Sequence, residues 1–288
     1  MPTPVVAGCP GWLFYSSELH ANPRRATVFP AHIRFIEKIA AFLDGHHIPL
    51  VIVPVPDKSR VHAEFLCNLR RAEAIDGRFD QMTGLLKEAG IKVVDVLSPL
   101  RASGGETFYR TDSHWNERGA GRAAETVAAS LREWGLASSQ RAEFRATSEP
   151  PRERVGDLIV LLGLGQTALP YRPAGDIEAS TTIEQRTPPG VGLFDELPAP
   201  DTVLLGTSFS LMGNFAKFLA MSLGAPIDNR ALPGGSLTKS AQVYFADPIF
   251  VKSPPRVVVW EVPERIMESE VAPAETTWDP GDNPPPAP

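Results

Sequence analysis

Four short runs of nearly uninterrupted Val, Ile and Leu constrain this chain more than any other feature: residues 49–55 (PLVIVPV), 92–96 (KVVDV), 202–206 (TVLLG) and 256–261 (RVVVWE). A strand with one wet face alternates apolar and polar residues, whereas a strand covered on both faces reads apolar throughout. Amphipathic stretches of helical period lie between the runs. Ile33, Ile36, Ile39, Ala40 and Leu43 follow Pro30 and end at Gly45; Phe79, Met82, Leu85 and Leu86 end at Gly90. Ala120, Ala123, Ala124, Val127, Leu131 and Trp134 follow Asn116, a good N-cap. Leu211, Phe215, Phe218, Leu219 and Leu223 close at Gly224, residues 236–245 form a fifth helical stretch, and 226–229 form a short fifth strand. This alternation predicts an α/β fold, a central and mostly parallel sheet flanked by helices.

The 288 residues suffice for one sizeable core, and 1–270 read as a single domain. Residues 138–200 carry much Pro, Arg, Glu and Thr around one apolar island at 158–164, and read as an irregular insertion or lid. Proline is twice its usual share of roughly 5%, 29 of 288, with six in the last sixteen residues. Residues 271–288 therefore read as a disordered tail. Acidic residues outnumber basic ones 34 to 28, a net charge of −6. With no polybasic stretch, that balance argues against a nucleic-acid partner. The longest apolar runs, 48–56 and 158–165, fall far short of the ~20 residues that span a bilayer. Residues 1–10 show neither the basic stretch nor the long apolar core of a secretory signal. The chain is expected either to be cytoplasmic or to begin after a removed signal. Cys9 and Cys67 fit a disulfide and two buried thiols equally, and two cysteines are too few for a Cys-rich metal site.

In 204–210 (LLGTSFS) an apolar strand enters a Gly-containing turn, with an apolar-periodic stretch directly after it. A serine there stands at the carboxyl end of a strand and beside a helix N-terminus, which favours developing negative charge. Open α/β sheets hold their ligands at that place. Ser208 is the candidate nucleophile; Ser210 suits a helix cap, and capping is the plain alternative for both. A serine needs a base to take its proton. His20, His32, His46, His47 and His62 lie in contexts that suit packing or solvent. His114 stands apart in 111–116 (TDSHWN). Asp112 can accept the imidazole Nδ1–H, fix the tautomer and stabilise the imidazolium formed when Nε2 takes a proton. The plain alternative is an Asx turn capping the next helix. As a metal pair, Asp112 and His114 lack a third ligand at useful spacing. The chain order Asp, His, Ser is no obstacle, because unrelated folds run triads in different orders.

Five blocks in order resemble the SGNH-hydrolase-like domain of the alginate O-acetyltransferase family, the AlgX and AlgJ type. They are 11–14 (GWLF), 55–59 (VPDKS), 108–115 (FYRTDSHW) with Glu117 and Gly119 behind it, 206–210 (GTSFS) and 260–265 (WEVPER), within about residues 8–267. The resemblance implies an SGNH-like fold and a triad of Ser208, His114 and Asp112, permuted relative to ordinary SGNH hydrolases. Thr207 stands where those carry the aspartate of Gly-Asp-Ser. It implies acetyl transfer, with no cofactor or metal, onto hydroxyls of an exported bacterial polysaccharide in the periplasm. A membrane-bound O-acyltransferase would supply the acetyl group, and a monomer is expected.

The chemistry expected is ping-pong: His114 deprotonates Ser208, the serine takes the acetyl group, and a sugar hydroxyl activated by His114 accepts it. The Ser208 N–H and a second donor would hold the oxyanion. Candidates for the second donor follow the 226–229 strand: Asn229 through its amide and Gly235 through its N–H. Arg230, Arg265 and Lys58 each follow a predicted strand and are candidates for binding an anionic sugar, with surface salt bridges as the alternative. Trp115 is a candidate for stacking on a sugar face or for plain packing. Two other functions fit the same residues: a carbohydrate acetylesterase, which gives the acetyl group to water, and a non-catalytic polysaccharide-binding scaffold of a secretion complex.

Overall fold

The computed structural model describes residues 4–186, 198–234 and 236–282. At its centre is a sheet of β1 Leu50–Val55, β2 Lys92–Val93, β3 Thr202–Leu205, β4 Asp228–Asn229 and β5 Val257–Pro263. The spatial order is β4-β3-β5-β1-β2, and every pair is parallel. Every predicted strand is present, although 92–96 pairs over only two residues. Five longer helices flank the sheet: α1 Arg25–Gly45, α2 Arg78–Glu88, α3 Glu117–Glu133, α4 Phe215–Leu223 and α5 Lys239–Ala246.

Successive strand residues point to opposite faces, and both faces are covered, which is why the strands read apolar throughout. Leu50 and Ile52 of β1 join Val258, Trp260 and Val262 of β5 in one core, packed by α1, α2 and α5. Val51, Val53 and Val55 join Val257 and Val259 in the other, packed by α3 and α4. Asn116 caps α3, its side chain accepting from the Gly119 N–H.

The helix expected directly after Ser208 starts only at Phe215. A short 3-10 turn, Ser208–Ser210, comes first, and Gly213 and Asn214 then adopt left-handed backbone with φ of 58° and 59°. A Cβ on Gly213 would lie 2.9 Å from that of Ala120, so glycine lets this bend press against α3. The long helix dipole is therefore not at the nucleophile.

The 138–200 segment is more ordered than expected. Phe144–Ser148 pairs antiparallel with Thr181–Gln185, Arg152–Arg154 pairs with Asp176–Glu178, and Asp157–Leu161 is helical. These strands are short and mostly polar, without the alternation that reveals a strand in sequence. Residues 187–197 lie outside the described residues.

The expected disordered tail is corrected too. Pro273–Thr277 is helical and docks on α1, where the His32 Nδ1 and Glu275 Oε2 lie 2.6 Å apart, both buried. Trp278 packs against the first core, and the Lys38 ammonium donates to its carbonyl at 2.7 Å. One apolar anchor and one buried polar pair hold a stretch whose composition alone reads as unstructured; residues 283–288 lie outside the described residues. Cys9 and Cys67 form a disulfide, which settles that open alternative. Among the described residues, no helix is long and apolar enough to cross a membrane.

Candidate active site

The carboxyl end of β3 presents Ser208, and the loop before α3 brings His114 and Asp112 to it. His114 Nε2 lies 2.7 Å from Ser208 Oγ, and its Nδ1 lies 2.6 Å from Asp112 Oδ1. The same carboxylate oxygen accepts the His114 backbone N–H at 3.0 Å. Burial pushes the Asp112 carboxyl up, but the hydrogen bond and charge of His114, with Arg154 behind, outweigh it and hold the group well below its ordinary range. An ionised carboxylate only accepts, so Nδ1 carries the proton and Nε2 is left to receive one from Ser208.

The other oxygen of Asp112 is held by the insertion. Its Oδ2 accepts from Arg154 Nη2 at 3.0 Å and from the Asp157 N–H at 3.1 Å. Asp157 in turn accepts from the Ser113 N–H and hydroxyl at 2.7 and 2.6 Å. Gly156 lets this crossing happen, because a Cβ there would run into the Thr111 carbonyl. Folding thus supplies the third ligand-type group that local spacing lacked: Asp112, His114 and Asp157 each bring such an atom within 4.8 Å of the others. Those atoms already hydrogen-bond one another or Ser113, the pattern of a proton relay.

Beneath the nucleophile lies Glu261, fully buried on β5. Its Oε2 accepts from the Thr207 N–H at 2.7 Å, the Thr207 hydroxyl at 3.0 Å and the Ser210 hydroxyl at 3.1 Å. Burial pushes its carboxyl above the ordinary value, against the pull of those hydrogen bonds. Phe209 packs tilted against the His114 ring, centroids 4.7 Å apart, and edge-on against Trp115.

The strand-end blocks meet in a buried ionic network. Asp57 after β1 and Glu264 after β5 are joined by buried guanidiniums: Arg71 bridges both at 3.1 and 3.3 Å, Arg78 also holds both, and Arg60 grips Glu264 at 2.6 Å. Burial, with Glu264 close by, pushes the Asp57 carboxyl up to about 7.

The sequence candidates divide accordingly. Arg265 lines the cavity, its guanidinium 4.9 Å above the Phe209 ring. Lys58 does not reach solvent: its buried ammonium donates to the carbonyls of Leu13, Arg110 and Asp112 at 2.6, 2.8 and 3.1 Å. Burial lowers it to about 8. It ties the catalytic loop down and leaves no sugar-binding role. Trp115 is fully buried, its indole N–H donating to the Phe209 carbonyl, so it packs and does not stack on sugar. Asn229 is exposed and away from the cavity, its amide oxygen turned to the Ala231 N–H. Arg230 is held by Asp228 and Asp247 at 2.7 and 2.8 Å, the salt-bridge alternative. Gly235 lies outside the described residues. Arg154, Asp157 and the role of Glu261 were not legible in the sequence, because each acts through long-range contacts.

The triad opens on a cavity of about 740 Å³, within the range of small-ligand sites. Ser17, His20, Asn22, Arg265 and Ser269 line it on one side, and Val160 and Leu161 of the insertion on the other. Residues 5–264 match the family described as the SGNH hydrolase-like domain, acetyltransferase AlgX. The chain belongs to this family. It is 29% identical over 270 residues to the probable alginate O-acetylase AlgJ of Azotobacter vinelandii, covering 91% of this chain and 69% of that protein. The solved O-acetyltransferase domain of Pseudomonas putida AlgJ superposes with a TM-score of 0.84 at 27% identity, covering 95% of both chains. Pseudomonas aeruginosa AlgX superposes with a TM-score of 0.67 at 25% identity, over 90% of this chain and 62% of that one. Family members are acetyltransferases on an SGNH-like fold, and this chain is one of them in fold and in enzyme class.

Proposed function

We propose that this protein transfers acetyl groups through a Ser208 acyl-enzyme onto hydroxyls of an exported, alginate-like polysaccharide. The observation that carries the reading is the relay of 2.6 and 2.7 Å from Asp112 through His114 to Ser208, ending at a cavity wall. His114 Nε2 takes the Ser208 proton as Oγ adds to the acetyl carbonyl, and returns it to the departing group as the carbonyl reforms. A sugar hydroxyl then gives its proton to Nε2 and its oxygen attacks the acetyl-serine, freeing Ser208. Among the described residues, the Ser208 N–H is the donor of its turn without a hydrogen bond: Glu261 takes the Thr207 N–H, and Thr207 Oγ1 takes that of Phe209. It stands beside Oγ as an oxyanion donor, with the Arg265 charge across the cavity.

The polysaccharide reading draws on the names of the relatives, and Ser17, His20, Asn22 and Ser269 along the cavity offer hydrogen-bonding groups to a hydroxylated acceptor. The disulfide fits an oxidising compartment such as the periplasm. A membrane-bound O-acyltransferase as acetyl supplier belongs to the same proposal. The test gives purified protein an activated acetyl ester, with and without acceptor oligosaccharide, and locates the adduct by peptide mass. Acetyl on Ser208 that moves to the oligosaccharide, with slow loss to water, is the expected result. Rapid hydrolysis indifferent to the acceptor would make the protein an esterase. An adduct on Ser210, or none, would overturn the assignment.

A further inference from the structure

The pairing register sets Trp260 opposite Leu205, so the next residue of β5, Glu261, emerges beside Gly206 where β3 gives way to the nucleophile turn. Its side chain lies on the face of Val257 and Val259, under the segment that carries Ser208. A fully buried carboxylate is costly unless its lone pairs are used. No Lys or Arg nitrogen pairs with this one among the described residues; its acceptors are spent on Thr207 and Ser210. The fit is tight, since a Cβ on Gly206 would sit 2.7 Å from Glu261 Oε2 and 2.5 Å from Ser210 Oγ.

We propose that Glu261 is a positioning residue for the nucleophile, acting through Thr207, and that the two side chains work as one coupled pair. By drawing the Thr207 N–H inward and anchoring its hydroxyl, Glu261 fixes the turn in the one orientation that leaves the Ser208 N–H unspent next to Oγ. Glu261 itself touches no reacting atom. The pairing also sets a rule for position 207: a hydroxyl meets the carboxylate, whereas a second carboxylate there would repel it.

This rests on Ser208 as the acylated residue, so the experiment follows formation of acetyl-Ser208 from p-nitrophenyl acetate by burst kinetics and intact mass, with Tm recorded for every variant. E261Q is expected to acylate within about fivefold of the parent, because an amide oxygen in place of Oε2 still accepts from the Thr207 N–H and the Ser210 hydroxyl, and its NH₂ meets the Thr207 hydroxyl, which can accept. E261L removes every acceptor, and acylation should slow by about 10²-fold at unchanged KM, the cost of a misplaced reacting group. T207D should lose about as much, and T207D/E261Q should regain at least about tenfold, since an amide donates where a carboxylate repels. A role confined to holding the fold would show the loss and the recovery in Tm and leave the acylation rate of the folded fraction unchanged. A folded E261L acylated at the parent rate, or a double variant no better than T207D, would overturn the inference; if E261L does not fold, the T207D pair decides alone. A parent protein that gives no adduct overturns the acyl-enzyme itself, and this inference with it.

Discussion

Ser208 and His114 meet over 2.7 Å, yet the two arms of the site are built differently. The nucleophile arm is part of the sheet: its turn continues β3 and rests on Glu261 of the neighbouring strand β5. The base arm is a loop, residues 107–116, fastened from two sides. Lys58 holds its backbone from the end of β1, and Arg154 and Asp157 hold Asp112 from the insertion. A sheet end is rigid through the packing of the whole core, whereas a fastened loop is as rigid as its few ties. The base arm should therefore be sensitive to single distant substitutions that leave the sheet intact, and the segment read from sequence as a lid is part of the catalytic support.

The largest effect tests the shared element. D112N keeps the shape of the side chain but presents an amide to Nδ1, which favours the wrong imidazole tautomer. The expected loss in kcat is about 10⁴-fold with an unchanged circular dichroism spectrum. A loss under tenfold would mean that Asp112 only shapes the loop. R154M should come next, at about 10²-fold, by loosening Asp112 without touching Ser208 or His114. It also has a pH signature. Asp112 is depressed in the native protein, so its contribution is present above the ordinary carboxylate range and is lost as pH falls through the depressed value. Without the Arg154 charge that value rises, so the acid limb of the chemical-denaturation stability profile should move to higher pH in R154M. An unmoved limb would break the claim that the insertion holds the base arm.

The same division governs what the sequence reveals. The parallel sheet is legible because double-sided burial writes itself into runs such as 257–262, and Ser208 follows because it is contiguous with such a run. Asp112 and His114 are legible through their spacing of two, a local signal. Arg154 and Asp157 are not, since nothing near residue 154 refers to a loop some forty positions earlier. Lys58 and Trp115 carry the reverse lesson: a charged residue after a strand and an aromatic one beside the histidine look like binding groups, but buried carbonyl acceptors consume the polar atom of each. The 55–59 and 260–265 blocks stand apart in the sequence, yet Asp57 and Glu264 share arginines in one buried network.

Lys58 offers a milder test of the base arm. Its ammonium is about 8 in the folded protein against 10.5 ordinarily, so between those values the unfolded chain holds a proton that the native state has shed. By linkage this group makes native stability rise with pH across that window and adds no slope well below it. K58M should remove that rise, measured as chemical-denaturation stability at pH 7.5 and 9.5. Activity should move the opposite way: a neutral amine has two N–H donors for three carbonyls, so the parent loses rate above about pH 8 while the sheet stays folded. A parent enzyme whose kcat is flat from pH 7 to 9.5 would contradict the role given to this tie.

The smallest effect is expected at the end of β4, and it bears on where the cavity stops. Arg230 is partly exposed and its guanidinium is divided between Asp228 and Asp247, an arrangement worth about 0–1 kcal/mol in exposed pairs. Neither it nor Asn229 lines the space around Ser208, so R230A and N229A should leave acylation within about twofold and Tm nearly unchanged. R265A removes the cationic group that does face that space and should be the more damaging of the arginine substitutions, its effect growing with an anionic acceptor. If R230A proved worse than R265A, the acceptor would have to reach across the end of β4, and the nucleophile arm would then bind substrate as well as present the serine.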